Sequence, residues 1–251
     1  MPILKNGSKV GLIATSNGLD HSSKPNIDKL IDILTSLGLS VVLSDTIYKR
    51  DGYFSGTPKE RANELTKLFL DRSIDAVFDI SGGDSCNQIL LHLDFELISQ
   101  HKKLFVGYSD VTVLINSLLK FSKNISLYYN LHNLYGRNSE RQLKYFKDTL
   151  FDDSLGKISI SYSWLNGTSI SGVVIGGNLR CFLKLAGTKF MPNPKGKILL
   201  LEAYSGNYAN ITSLVSQLEH LGFFNKISGV ILGNFFEIEK RAESTLLSEH
   251  F

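Results

Sequence analysis

Short unbroken apolar runs alternate with segments of helical periodicity along the first half of this chain. Residues 9–15 (KVGLIAT) form one such run, bounded by Gly7-Ser8 and by Ser16-Asn17-Gly18. A run of that length between turn residues predicts a buried strand. Residues 25–37 place Ile27, Leu30, Ile31 and Leu34 at helical spacing, with Gly38 as a stop. Residues 39–43 predict a second strand. Residues 58–71 predict a second helix, with Pro58 in its first turn and Ala62, Leu65, Leu68 and Phe69 on one face. Three more strands are predicted at 76–80, 104–106 and 125–129, separated by helical segments at 87–93 and 111–119. This alternation predicts βαβ units and a parallel sheet covered on both faces. Such sheets bind ligands beyond the carboxyl ends of their strands. The loops after Thr15, Ile80 and Val106, rich in Gly, Ser, Asn or Asp, are therefore the informative ones.

Residues 138–167 are more polar, with a helix predicted at 140–150; the second half of this region reads as a domain boundary. Beyond it the pattern predicts a strand at 169–175, a helix opened by Gly176-Gly177-Asn178 and running through Leu185, a strand at 198–201, a helix at 210–221 and a strand at 227–232. The expectation is an α/β chain of two domains. The first, over 1–155, holds the larger parallel sheet. The second, over 168–251, is smaller.

Composition changes this picture little. Hydrophobic residues make up 43% and charged residues 20%, ordinary for a globular chain. The net charge is +3, with basic and acidic residues interspersed, so no nucleic-acid footprint is expected. No apolar run reaches the roughly 18 residues of a membrane span. The opening MPILKNG is too short and too charged for a secretory signal. Cys86 and Cys181 have neither a CxxC nor a metal-type partner, which points to a reducing compartment and a cytoplasmic protein. His21, His92, His101, His132, His220 and His250 show no metal-ligand spacing, so no metal site is expected. Trp164, before an Asn-Gly turn, is expected to pack at a domain edge.

Three places could carry chemistry. In Leu104-Phe105-Val106-Gly107-Tyr108-Ser109-Asp110 a serine lies between a strand and a helix, with glycine two residues before it. This is the layout of a nucleophile elbow, although Val111 breaks the full G-x-S-x-G pattern; it is equally the layout of a plain helix N-cap. Ser81-Gly82-Gly83-Asp84 ends the third predicted strand, where glycines let backbone amides point into a site, or simply make a tight turn. Glu202 ends the strand at 198–201, where a carboxylate can orient a histidine or merely terminate the strand at the surface.

Taken together, residues 81–95 (SGGDSCNQILLHLDF), 103–115 (KLFVGYSDVTVLI), 172–188 (GVVIGGNLRCFLKLAGT) and 197–235 resemble, in order, the blocks of the LD-carboxypeptidase family of serine peptidases. That family includes muramoyltetrapeptide carboxypeptidases and microcin C immunity peptidases. The resemblance implies a flavodoxin-like N-terminal domain, a smaller C-terminal domain and a site in the groove between them. It implies a Ser-Glu-His triad in which Ser109 is the nucleophile and Glu202 the acid. The backbone amides of Gly83 and Asp110 would form the oxyanion hole. Gly82, Asp84, Tyr108 and Arg180 would contact substrate, with Arg180 and Lys184 as candidate partners for a terminal carboxylate. No cofactor is implied. Cleavage of small peptides or peptidyl nucleotides and a homodimer are.

The chain departs from the family pattern in three places. The family histidine lies in a Gly-His type motif beyond the strand at 227–232; no such segment is found before Phe251, and His250 does not sit in that motif. The C-terminal domain is accordingly expected to be incomplete, and a degenerate member that binds peptide without catalysis is the alternative function. Tyr129-Asn130-Leu131-His132 stands where family members often have a Gly-Pro motif. The Asp84-Ser85-Cys86-Asn87 loop looks closer to the microcin-immunity branch. Two geometric expectations follow: Ser109 on a strained strand-to-helix turn, and Glu202 facing Ser109 across the groove.

Overall fold

A computed structural model of the chain describes residues 3–50, 52–152 and 162–241. The chain divides into two compact units, Met1–Ile160 and Ser161–Phe251.

The first unit is built on a five-stranded, wholly parallel sheet of order β2-β1-β3-β4-β5. Its strands are β1 (Lys9–Ile13), β2 (Ser40–Leu43), β3 (Ala76–Asp79), β4 (Leu104–Gly107) and β5 (Ser126–Tyr128). This is the flavodoxin-type doubly wound order, with its switch point between β1 and β3. β3 and β4 are buried at every position and β1 at all but its first, which is why they read as continuous apolar runs. On one face, Val10, Leu12, Phe78 and Val106 pack in a single core with Ile27, Leu30 and Leu34 of α1 (Lys24–Ser36) and with Phe146 and Leu150 of α5 (Ser139–Leu150). The other face is covered by α2 (Pro58–Leu70), α3 (Phe95–Gln100) and α4 (Thr112–Ser122). There a Cβ on Gly11 would lie 2.8 Å from Leu68, so glycine lets α2 approach β1. α2 opens with a capping box: Thr57 Oγ accepts from the Glu60 amide and the Glu60 carboxylate accepts from the Thr57 amide.

Two expectations are corrected. The sheet is not covered throughout: β2 is an edge strand, with Val42 and Leu43 37% and 44% exposed. α3 was not predicted, because six residues carry too little periodicity. The segment expected as a helix at 87–93 is a 3-10 helix, Cys86–His92.

The second unit holds a parallel three-stranded sheet of order β6-β7-β8, with β6 (Val174–Asn178), β7 (Ile198–Ala203) and β8 (Gly229–Phe235). Its helices are α6 (Leu179–Leu183), α7 (Tyr208–His220) and α8 (Phe236–Lys240), of which α8 was not predicted. The helix expected after Gly176-Gly177-Asn178 does open there: Asn178 Oδ1 caps α6 by accepting from the Cys181 amide at 3.2 Å, and the helix ends at Leu183, short of Leu185. The same three residues are also the last of β6, and a Cβ on Gly176 would sit 2.1 Å from the Leu200 carbonyl oxygen. The glycines serve the close approach of β6 to β7, which displaces the strand from its predicted place at 169–175. Trp164 is 42% exposed and packs edge to face on Tyr162. Among the described residues no helix is long and apolar enough to cross a membrane.

Phe105 is fully buried on central strand β4, its ring 6.4 Å from that of Phe69. Phe105→Ala should destabilise the first unit by about 3–5 kcal/mol, measured by urea unfolding.

Candidate active site

Strand β4 delivers its carboxyl end into a tight reversal. A Cβ on Gly107 would stand 2.6 Å from Val111 Cγ1, so the reversal requires glycine there. Two residues on, Ser109 has φ +58, a left-handed conformation shared among the described non-glycine residues only by Lys123 and Asn138. For an L-residue this costs about 1–2 kcal/mol. The turn is tied down by three contacts: the Val111 amide to the Tyr108 carbonyl at 3.2 Å, Thr112 Oγ1 donating to the Ser109 carbonyl at 2.6 Å, and the Ser109 amide donating to Tyr128 Oη at 3.2 Å. The N-cap alternative fails. Tyr108 and Val111 occupy the cap positions of the 3-10 turn and of α4, neither with a side-chain cap bond, and the Ser109 hydroxyl makes no hydrogen bond among the described residues.

The loops after β1 and β3 meet beside this turn. A Cβ on Gly82 would lie 3.9 Å from both Cβ and Oγ of Ser109. Gly83 has φ +127, and a side chain on it would strike Asn17, 2.4 Å from Cγ. Asn17 Oδ1 in turn accepts from Ser85 Oγ at 2.9 Å and from the Asp84 amide at 3.4 Å, while its own amide donates to the Gly82 carbonyl at 3.2 Å. Asp84 itself is exposed. The resulting cavity, about 270 Å³, is lined by Leu19, Ile80, Gly82, Tyr108, Ser109 and His132 among others.

Behind the cavity lies a buried ionic layer. The Asp110 carboxylate accepts from Ser16 Oγ at 2.6 Å and from the Cys86 amide at 2.8 Å, joining the turn to both loops. Asp79 accepts from the amides of Thr15 and Ser81, at 3.1 and 2.8 Å, and from both their hydroxyls. Burial raises its pKa above the ordinary 3.8; the hydrogen bonds to Ser81 and Thr15 act the other way. Arg61 of α2 is fully buried. Its guanidinium donates to the Thr15 and Ser16 carbonyls and to Gln88 Oε1. Burial lowers its pKa, against the opposing pull of Cys86, Asp79 and Asp110, and a guanidinium keeps its charge at any physiological pH. Burial also pushes the Cys86 thiol well above its ordinary range, helped by Asp110 and Asp79, which makes it an inert thiol rather than a nucleophile.

None of Arg61, Asn17, Asp79 or the Asp110 carboxylate was singled out from the sequence. Arg61 left a trace there: it precedes Leu65 by four and Leu68 by seven, on the apolar stripe of α2, where a charge needs buried partners.

In the second unit, Glu202 lies in β7 and is only 7% exposed, which excludes the surface-acid alternative. Its neighbour in β6, Asn178, donates from Nδ2 to Glu202 Oε1 at 3.0 Å. Opposite it, β8 carries a bulge: Leu201 pairs with Leu232 and Ala203 with Phe235, so Gly233 and Asn234 together oppose Glu202. A Cβ on Gly233 would come within 3.1 Å of Glu202 Cβ. Bulges of this kind re-aim a side chain at a strand end. Arg180 is exposed on α6 and Lys184 follows that helix, half-buried. His250 lies outside the described residues. Among those described, no group of three or more His, Cys, Asp or Glu could hold a metal.

A serine raised on a strained strand-to-helix turn, beside a glycine loop at the carboxyl edge of a parallel sheet, is the arrangement of an α/β serine hydrolase. Comparison with known families matches residues 10–129 to the LD-carboxypeptidase N-terminal domain and residues 171–250 to the LD-carboxypeptidase C-terminal domain. The chain therefore belongs to the LD-carboxypeptidase family. It is 27% identical to the "Probable murein peptide carboxypeptidase" of Bacillus subtilis over 92% of this chain and 73% of that protein. It is 27% identical to the microcin C7 self-immunity protein MccF of Escherichia coli over 90% and 75%. The solved structure of MccF in complex with aspartyl sulfamoyl adenosine superposes with a TM-score of 0.81 at 25% identity, over 94% of this chain and 80% of that one.

Asp79 yields a pH prediction. Its native pKa is raised, so the native state holds the carboxyl proton more tightly than the unfolded chain. Its stabilising contribution is then full below the ordinary 3.8 and is lost as pH rises through the native value. Asp79→Asn cannot ionise. The stability advantage of the parent over this variant should therefore narrow between pH 4 and pH 7, read as the difference in denaturation midpoints.

Proposed function

We propose that the chain is a serine carboxypeptidase-type hydrolase that cleaves an amide bond in a small peptide or peptidyl nucleotide through an acyl-enzyme on Ser109. The observation that carries this reading is the left-handed Ser109, its hydroxyl without a hydrogen bond among the described residues, at the wall of a cavity made by glycine loops.

In the first half-reaction Ser109 Oγ attacks the carbonyl carbon and gives its proton to a base. In the family that base is a histidine; no segment of residues 1–251 matches it, and what this chain supplies is Glu202, the carboxylate that would hold such an imidazole in the required tautomer. The carbonyl oxygen takes up negative charge against the amides of Gly83 and Asp110. The C–N bond then breaks, and the amine leaves with the proton returned by the base. In the second half-reaction water attacks the ester, releases the carboxylic acid and restores the serine. Gly82, Asp84 and Tyr108 contact the substrate from the first unit and Arg180 from the second, where it meets a terminal carboxylate. Convergence of Ser109 and Glu202 on one cleft is part of the proposal.

Two substrate classes are carried by the relatives' names: murein peptides, and the nucleotide-linked compounds bound by MccF. The Asp84-Ser85-Cys86-Asn87 loop favours the second. Cytoplasmic residence and a homodimer complete the reading; light scattering tests the dimer.

Hydrolysis of an L,D-linked murein tetrapeptide should be compared with that of aspartyl sulfamoyl adenosine, alongside labelling by a fluorophosphonate. Ser109→Ala should abolish both hydrolysis and labelling. Glu202→Gln should lower kcat by about 10⁴-fold. Full labelling of the Ser109→Ala variant would sink the assignment.

A further inference from the structure

We infer that Tyr128 and Thr112 are positioning residues that clamp the two faces of the Ser109 peptide and hold it in the left-handed conformation that presents its hydroxyl. The inference rests on the assignment of Ser109 as nucleophile and extends it to two side chains outside the triad and the oxyanion hole.

An isolated serine at φ +58 relaxes towards ordinary backbone regions unless its neighbours over-determine it. Here both polar groups of the residue are occupied by side chains. The Ser109 amide donates to Tyr128 Oη at 3.2 Å, and the Ser109 carbonyl accepts from Thr112 Oγ1 at 2.6 Å. The two clamps touch: Thr112 Oγ1 is 3.5 Å from Tyr128 Oη. Tyr128 reaches the turn from β5, which is hydrogen-bonded to β4 in parallel register, with Gly107 opposite Tyr128. The amide of the next residue, Tyr129, donates to the Gly107 carbonyl at 2.9 Å, so the phenol is anchored to the strand that carries the serine. Its ring also packs against Tyr108, centroids 4.9 Å apart. Thr112 is the first residue of α4 and fully buried. A rigid strand therefore holds one end of the strained residue, and a helix terminus the other.

The chemistry expected of such a clamp is specific. Because Tyr128 Oη accepts from the Ser109 amide, that donor is committed to the clamp and is not one of the proposed oxyanion donors. Loss of the phenol hydroxyl frees the Ser109 amide and lets the turn relax. The barrier to acylation rises, while the walls that bind substrate stay in place.

The test uses the full chain with Tyr128→Phe, which keeps the ring and its packing, and with Thr112→Val and Thr112→Ser. Amide hydrogen exchange at Ser109 should accelerate at least tenfold in Tyr128→Phe with the unfolding midpoint near the parent value. Fluorophosphonate labelling should slow at least tenfold, and kcat should fall with KM unchanged. Thr112→Val should behave alike, and Thr112→Ser, which keeps the hydroxyl, should restore the parent rates. Unaltered exchange at Ser109 overturns the clamp. Faster exchange with undiminished labelling also overturns it, since reactivity would then not depend on the held conformation. Labelling that survives Ser109→Ala instead strikes the nucleophile assignment, and the exchange measurement alone then judges the clamp.

Discussion

A serine backbone held at φ +58 at the end of a buried strand is the constraint around which the first unit is arranged. The conformation costs about 1–2 kcal/mol, and each net hydrogen bond returns about 0.5–1.5 kcal/mol, so no single contact secures it. Gly107 removes the steric block to the reversal, β5 supplies a phenol, and α4 supplies a hydroxyl and a following helix. The parallel register of β4 and β5 makes the arrangement reproducible, because a slip of one residue would turn Tyr128 to the other face of the sheet.

The cavity depends in turn on the buried ionic layer behind it. Two glycine-bearing loops at the switch point of the sheet have few apolar contacts to define them. Their backbone groups must still be paired once they are out of water. Arg61, Asp79 and Asp110 supply those partners. One cation binds the carbonyls of the first loop, one carboxylate binds amides of both loops, and the other ties them to the serine turn. Such a layer gives little net stability, since desolvation offsets most of the attraction. Its effect is to fix geometry: Asn17 fills the space beside Gly83, and Gly82 reaches Ser109.

How much of this was legible in the sequence follows from what kind of force shapes each part. β1, β3 and β4 stood out because burial on both sides forces an unbroken apolar run, and α1 and α2 because one-sided burial forces a 3.6-residue period. The Gly-Tyr-Ser-Asp turn was legible as an elbow or a cap; only its dihedral angle separated the two. β6 was misplaced because glycine signals a turn in local terms, whereas Gly176 serves a backbone contact with a strand distant in sequence. Arg61 and the Asp110 carboxylate were missed for a related reason. Their partners lie 24 to 94 residues away, and apart from the place of Arg61 on the apolar stripe of α2 nothing local distinguishes such a charge from a solvated one. Tyr128 was hidden in an ordinary strand sequence.

Division of labour between the two units follows from what each side chain is already doing. In the first unit, the carboxylates nearest the turn, Asp79 and Asp110, are committed to backbone amides and hydroxyls. His132 lines the cavity, but its ring packs on Tyr135, centroids 5.4 Å apart, and no described carboxylate holds it in a tautomer. The Cys86 thiol is buried and pushed up. What the first unit offers is therefore a hydroxyl; no side chain of its described residues around the turn stands ready to take a proton from serine. Glu202 is of another kind: buried at a strand end, aimed by a bulge and steadied by the Asn178 amide. A carboxylate so prepared suits the orienting of an imidazole better than the binding of solvent. On this reading nucleophile and base-orienting acid are set by separate sheets, each rigid in its own unit. Under the proposed mechanism acylation would require both units to be folded, whereas the contacts that hold Ser109 left-handed lie entirely in the first.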